Sequence, residues 1–217
     1  MSTTKNRVLV TATIILAVIA AAIWYFAVFS TKPEPAAIGQ GNDMETSQES
    51  ADDSMYANLK GDAFDEAYLA DMIAHHDGAV NMSEQAMAAT AHEEIRTLAS
   101  NILQTQSQEI MKMREWQKEW NYKETMSDGH MNHGGAAMDM GGEMVEMMNR
   151  LQNLKGEEYD KEFLRQMIIH HEQAVDMSEY AETNAKHQEI KDFANGVIDA
   201  QTAEIAQMKQ WQKEWGY

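Results

Sequence analysis

Apolar residues recur at three- and four-residue steps along most of the chain beyond residue 60, which is the pattern of amphipathic helices. A capping box, Thr90-x-x-Glu93, is expected at the start of the second helix. No segment shows the strict alternation that a half-buried strand would have. The periodicity predicts a short helix at about 143–154 and four long helices at 62–89, 90–120, 157–183 and 186–215.

The long helices form two copies of one unit. The M-I-A-H-H motif at 72–76 returns as M-I-I-H-H at 167–171, and the same offset of 95 residues relates repeat 1 at 59–122 to repeat 2 at 154–217. A repeat of this length indicates a duplicated supersecondary unit. Each helical hairpin would expose an apolar face alone, so the two are stable together. We therefore predict an all-α fold, an antiparallel four-helix bundle built from two repeated helical hairpins.

The N-terminal segment predicts a membrane helix. Lys5 and Arg7 precede an apolar run at 8–29, which as a helix is roughly 33 Å long and sufficient to cross a bilayer core. The positive residues before the run indicate that the chain after it lies outside the cytoplasm. We predict an N-terminal transmembrane anchor at 1–30, with the C-terminal domain in the periplasm or outside the cell. The alternative is a secreted protein whose signal peptide is cleaved, although signal peptides have shorter apolar regions.

The next segment, 31–54, contains Pro33, Pro35, several glycines and acidic residues without periodicity. It predicts a disordered polar tether. The helical domain then occupies 55–217, and its two repeats are joined by a loop at 123–143 that is rich in methionine and histidine.

Composition narrows the chemistry. The formal charge is −18, which disfavours nucleic-acid binding because phosphate recognition needs a basic surface. There is no cysteine, so disulfides and thiolate metal sites are excluded. In contrast, the chain has 18 methionines and 8 histidines, and thioether and imidazole groups are ligands of soft metal ions.

The interrepeat loop is one candidate metal site. Its glycines leave no apolar face that could bury its methionines, which makes a purely structural role a poor explanation of its composition. Thioethers bind Cu(I) or Ag(I) without losing a proton, and imidazole supplements them. The candidate ligands in the loop are Met126, His130, Met131, His133, Met138 and Met140.

The duplicated motif is the second candidate. On a helical wheel His76 lies near the middle of the apolar stripe and His75 at its edge, so we expect only one of the two to point into the bundle. Met72 is one turn from both and could chelate an ion with either of them. Met82 is about two turns from His75, too far to share an ion unless a neighbouring helix intervenes. The equivalent positions in repeat 2 are Met167, His170, His171 and Met177.

Polar residues on the second helix of each repeat face the same core. Gln106 and Glu109, with their equivalents Gln201 and Glu204, fall on the apolar face and need partners there. They could orient metal-binding histidines. They could equally form a closed hydrogen-bond network with His76 and His171 that fixes helix register and binds nothing.

The paired M-I-x-H-H-x-x-A-V-x-M-S motifs, each followed by Q-x-x-E-I-x-x-M-x-x-W, resemble the family called domain of unknown function 305 over residues 56–217. The resemblance implies a ferritin-like helical bundle in an exported or membrane-anchored protein that binds copper, and sometimes silver, through methionine and histidine and serves in metal resistance. It implies ligand roles for Met72, His75, His76, Met82, Met167, His170, His171 and Met177.

We therefore expect an extracytoplasmic Cu(I)-binding protein, with Ag(I) as a second ligand, that buffers the ion, confers resistance or passes the ion to an unknown delivery partner. We do not expect an enzyme. One alternative is a ferritin-like dinuclear Fe or Mn oxidase using Glu109, Glu204 and the motif histidines, but such sites usually have four carboxylates and two Glu-x-x-His pairs. The other is a metal-free structural or interaction module.

Overall fold

The computed structural model describes residues 53–124 and 140–217, and every regular element in these two ranges is a helix, so the prediction of an all-helical chain is confirmed. None of these helices is long and apolar enough to cross a membrane. The predicted anchor at 1–30 lies outside the described residues. The elements are α1 (Asp53–Asn58), α2 (Asp62–Ala89), α3 (Glu93–Glu119), α4 (Met140–Leu151), α5 (Glu157–Glu179), α6 (Ala181–Asn184) and α7 (Gln188–Trp215).

The four long helices occupy the predicted places with local differences. Helix α2 has the predicted bounds, whereas the predicted helix at 157–183 divides at Tyr180 into α5 and α6. The predicted capping box is wrong. Helix α3 begins at Glu93, and the Thr90 hydroxyl accepts the backbone N–H of His92 (3.1 Å) instead. A carboxylate from the other repeat satisfies the start of α3, so the local cap is not needed.

The two repeats meet through their first helices. Helix α2 packs along α3, α5 packs along α7, and α2 also contacts α5. Two apolar clusters fill the interior. The first joins the beginning of α2 (Phe64, Tyr68) to the end of α5 (Met177), and the second joins the end of α2 (Met82) to the beginning of α5 (Phe163). The helices α2 and α5 are therefore antiparallel.

A buried aspartate from each repeat holds the start of the second helix of the other. Asp65 accepts hydrogen bonds from the backbone of Lys186 and His187 and from Nδ1 of His187 (2.6 Å). Its equivalent Asp160 does the same for Ala91 and His92, with Nδ1 of His92 at 2.7 Å. Both carboxylates are fully buried. Each contact therefore ties one repeat to the other.

Each histidine of these contacts also stacks on a tryptophan. The His187 ring lies 3.8 Å from the Trp120 ring, and the His92 ring lies 3.9 Å from the Trp215 ring, each nearly parallel. We call each Asp–His–Trp group a clasp: Asp65–His187–Trp120 and Asp160–His92–Trp215. The two clasps fix how the repeats are aligned, and so fix which residues of α2 and α5 face each other.

Removing the charge of a clasp should destabilise the domain. An amide has only one oxygen to accept the three N–H groups that each carboxylate now accepts, so Asp65→Asn or Asp160→Asn should lower the free energy of unfolding by about 1–3 kcal/mol in urea titrations. Asp199→Asn is the matched control, because Asp199 is exposed on α7, and it should change stability by less than about 0.5 kcal/mol. Equal effects of all three substitutions would contradict the proposed role of the clasps.

Candidate metal centre

A polar layer lies between the two apolar clusters. The motif histidines are fully buried, and two glutamines on the facing helices are 3% exposed. Water does not reach these side chains, so every polar atom in the layer must find a partner within the protein or leave its hydrogen-bonding capacity unused. The members of this layer are His75, His76, His170, His171, Gln106 and Gln201.

Both histidines of each motif point into the interior, which corrects the prediction that only one could. The His75 ring faces α5, where its centroid lies 3.6 Å from that of His170. The His76 ring faces α3, where Nε2 lies 2.9 Å from a carboxylate oxygen of Glu109. Successive residues on a helix are about 100° apart. Because α2 is covered by α3 on one side and by α5 on another, two adjacent side chains are both buried.

The outer histidines, His76 and His171, are each oriented by a glutamate. Glu109 contacts Nε2 of His76, and Glu204 contacts Nε2 of His171 at 2.7 Å. A carboxylate only accepts hydrogen bonds, so Nε2 carries the hydrogen, and in the neutral ring the lone pair is on Nδ1. In both rings Nδ1 is buried and has no hydrogen-bond partner.

The two inner histidines, His75 and His170, have no carboxylate partner. Nε2 of His170 donates to the backbone carbonyl of His75 (3.0 Å), which leaves the lone pair of Nδ1 without a partner. Neither ring nitrogen of His75 makes a hydrogen bond of good geometry, although the side chain of Gln173 lies near enough to act on this ring as a weak partner. Five buried ring nitrogens in the layer are therefore unsatisfied.

The inner rings are neutral. Burial lowers the pKa of His75 and of His170 well below the usual value, and the neighbouring histidines lower each further. Desolvation disfavours the charged form of an imidazole, which has no carboxylate beside it here. A neutral imidazole keeps the lone pair that a metal ion needs.

Methionines of the duplicated motif belong to the apolar clusters on both sides of the layer. Met72 and Met177 belong to the first apolar cluster, and Met82 and Met167 belong to the second. Each side of the layer thus receives one methionine from each repeat, and each of the four is at most 2% exposed. The sulfur of Met177 lies 3.6 Å from the Tyr56 hydroxyl, which donates its hydrogen to Asp71 (2.6 Å).

The structure thus gathers the motif residues that the sequence singled out, while their roles as ligands stay predictions. The predicted loop ligands Met126, His130, Met131, His133 and Met138 lie outside the described residues, and Met140 begins α4. The clasps were missed by sequence reasoning. The sequence feature that could have indicated the clasps is an aspartate within the apolar stripe, at the same position in both repeats: Asp65 and Asp160.

The donor set fits a soft ion of low coordination number. In the two described ranges, no three side chains among histidine, aspartate and glutamate are placed so that they could hold a metal ion. An ion bound in the layer would need thioether sulfur beside imidazole nitrogen. Sulfur with nitrogen, all uncharged, is the combination that favours Cu(I).

The described residues thus form an all-helical protein with a buried histidine layer between two apolar clusters. The sequence profile of the family described as "Domain of unknown function (DUF305)" matches residues 27–91 and 65–212, and the chain belongs to this family. The resemblance seen in the sequence is thereby confirmed. Among curated proteins, no sequence matches this chain.

Solved structures similar to this chain include CopM. CopM in its Cu(I)-bound and Cu(II)-bound forms is 32% identical to this chain, with a TM-score of 0.57 for each form. Each match covers 70% of this chain; it covers 96% of CopM in the Cu(I)-bound form and 98% in the Cu(II)-bound form. CopM in an Ag-bound form, obtained by co-crystallization, is 32% identical with a TM-score of 0.56 and covers 70% and 96%. A DUF305 protein from Streptomyces coelicolor is 28% identical with a TM-score of 0.60, covering 70% of this chain and 94% of that one.

If His75 and His170 serve metal binding rather than folding, replacing one of them with an apolar residue should stabilise the metal-free protein. His75→Leu removes two nitrogens without a hydrogen bond of good geometry at the loss of only the weak Gln173 contact, so the free energy of unfolding in urea with a chelator should rise by about 1 kcal/mol. His76→Leu is the matched control, because it leaves Glu109 without its partner and should bring no gain. A loss of stability in His75→Leu as large as that in His76→Leu would show that His75 is a structural residue.

Proposed function

We propose that this protein binds Cu(I), and also Ag(I), outside the cytoplasm, and that it buffers the ion or passes it to a partner without catalysing a reaction. The observation that carries the proposal is the pair of neutral, desolvated imidazoles, His75 and His170, in which three of the four ring nitrogens lack hydrogen-bond partners, within a core that contains buried methionines. We infer that the four long helices form one antiparallel bundle around this layer.

Electrostatics favours a monovalent ion in this place. Moving a cation from water into a helical core is costly, and the cost rises steeply with charge. Neutral thioethers and imidazoles do not compensate a charge, but Glu109 and Glu204 lie one ring further out and are about three-tenths exposed. Two such carboxylates offset a single positive charge while they orient the rings that hold it.

The ligand types also distinguish this proposal from a dinuclear oxidase. Ferritin-like Fe and Mn sites use four carboxylates that point at the metals. The layer described above offers two glutamates, and each of them is engaged by a histidine at 2.9 Å or less. A hard, carboxylate-rich site is therefore a poor match for these residues.

The comparison proteins support the choice of metal. CopM, to which this chain is similar over 70% of its length, has been solved with Cu(I), Cu(II) and Ag. Because Cu(I) and Ag(I) share a preference for sulfur, one site can accept both. The formal charge of −18 would raise the local concentration of cations near the protein.

The rest of the chain completes the proposal. The apolar run at 8–29 would anchor the protein in the cytoplasmic membrane, or act as a signal peptide that releases it. The methionine- and histidine-rich loop at 123–143 would capture the ion first, and the helical core would then hold it more tightly. A delivery partner would receive the ion from the loop.

Replacing the outer histidines should weaken Cu(I) binding. The double variant His76→Ala and His171→Ala, measured by competition with a chromophoric Cu(I) chelator, should lose affinity by about tenfold or more, as expected when groups that supply or orient metal ligands are removed. The matched control is Glu84→Ala with Glu179→Ala, which changes another symmetry-related pair on the same two helices, exposed and outside both the layer and the clasps. Unchanged affinity in the first variant would place binding in the loop and contradict a site in the core.

The identity of the metal should separate a copper protein from an oxidase. After expression with copper, iron and manganese supplied together, the purified chain should contain copper and should consume no dioxygen. A variant lacking residues 126–142 should keep the Cu(I) held by the core and lose only what the loop binds. Retention of iron together with dioxygen consumption would favour the dinuclear oxidase, and no metal at micromolar concentration would favour a structural module.

A further inference from the structure

The two copies of the motif differ at the position three residues after the inner histidines, His75 and His170. In repeat 1 this position is Gly78, and in repeat 2 it is Gln173. The Gln173 side chain acts on the ring of His75 in the opposite repeat. Because α2 and α5 are related by the repeat, a side chain at position 78 would act in the same way on His170. Repeat 1 has no side chain there.

The thioether of Met144 occupies the place of the missing side chain. A Cβ atom added to Gly78 would overlap Cε and Sδ of Met144. Met144 belongs to α4, which contacts both α2 and α5 and lies outside both copies of the repeat. Because position 78 is glycine, the sulfur of Met144 on α4 can reach the surface of α2 beside the inner histidines.

This sulfur is close to ring nitrogens that lack partners. Residues three apart on a helix have their Cβ atoms about 5–6 Å apart, so Gly78 and His75 are neighbours on one face of α2. The His75 ring contacts the His170 ring at a centroid distance of 3.6 Å, tilted by 32°, and Nδ1 of His170 has no hydrogen-bond partner. The Met144 thioether therefore lies against the face of α2 that carries one member of this histidine pair.

We propose that Met144 is a ligand of the metal bound at the inner histidines, contributing its sulfur alongside the nitrogens of His75 and His170. This inference rests on the proposed function and adds to it a residue outside the repeated motif. One sulfur and two nitrogens make a three-coordinate set of uncharged donors, which suits Cu(I) and Ag(I).

Helix α4 also offers a path along which a metal ion would reach Met144, His75 and His170. Met147 and Met148 lie three and four residues after Met144, and Met147 is buried in the second apolar cluster. A cavity of about 210 Å³ opens between α4 and α5, lined in part by Met147 and by Gln173, the residue that adjoins His75. Because α4 directly follows the interrepeat loop, an ion captured by the loop would meet these thioethers first.

Two variants test Met144 in complementary ways. Met144→Leu removes the sulfur and keeps the apolar volume, whereas Gly78→Ala keeps the sulfur but places a methyl group where the thioether now lies. The controls are Met111→Leu, an exposed methionine on α3, and Gly196→Ala on α7, where an added Cβ meets no atom within 4 Å. Both test variants should weaken Cu(I) binding of the core by about tenfold, and both controls should leave it unchanged.

The direct readout uses the full chain carrying ¹³C-methyl methionine and ¹⁵N histidine, titrated with Ag(I) to saturation. We expect the Met144 methyl resonance and the His170 ring nitrogens to shift together, and the Met144 shift to be lost in Gly78→Ala while other methionines still respond. If His170 responds and Met144 does not, the inference is wrong and the proposed function stands. If neither responds, both are wrong.

Discussion

The candidate metal centre depends on the contact between two uncharged imidazole rings in the interior of the protein. The rings of His75 and His170 meet at a centroid distance of 3.6 Å, tilted by 32°, where α2 contacts α5, and this contact joins the two copies of the repeat. Burial lowers the pKa of both rings, so they approach without charge repulsion. The outer histidines take their orientation from Glu109 and Glu204 on the second helices. The polar layer is thus assembled from all four long helices.

An arrangement of this kind is costly for folding. Each buried polar atom without a partner costs about 1–3 kcal/mol, and the layer contains five such ring nitrogens. The rest of the domain compensates for this cost through two apolar clusters and through the Asp65 and Asp160 clasps, which connect the repeats at both ends of the layer. Binding sites typically destabilise the fold locally, and packing elsewhere in the protein compensates for that loss.

The sequence predicted the helices and the duplicated motif because apolar periodicity and the 95-residue offset are local signals. The bounds of α2 were correct to the residue. The burial of both His75 and His76 was missed because a helical wheel assumes one buried face, whereas α2 is covered on two sides. The cap of α3 was missed for a related reason: Asp160 is distant in sequence and becomes a neighbour only through folding. The place of Met144 likewise depends on how α4 packs.

The central claim is that the buried imidazoles keep free lone pairs for a soft cation, and ¹⁵N spectra of the ring nitrogens with and without Cu(I) test it most directly. In the metal-free protein His75 and His170 should be neutral, His170 with its hydrogen on Nε2, and their ring nitrogen resonances should shift strongly as Cu(I) is added under exclusion of dioxygen. Rings that are doubly protonated, or ring nitrogens that do not respond to saturating Cu(I), would contradict it.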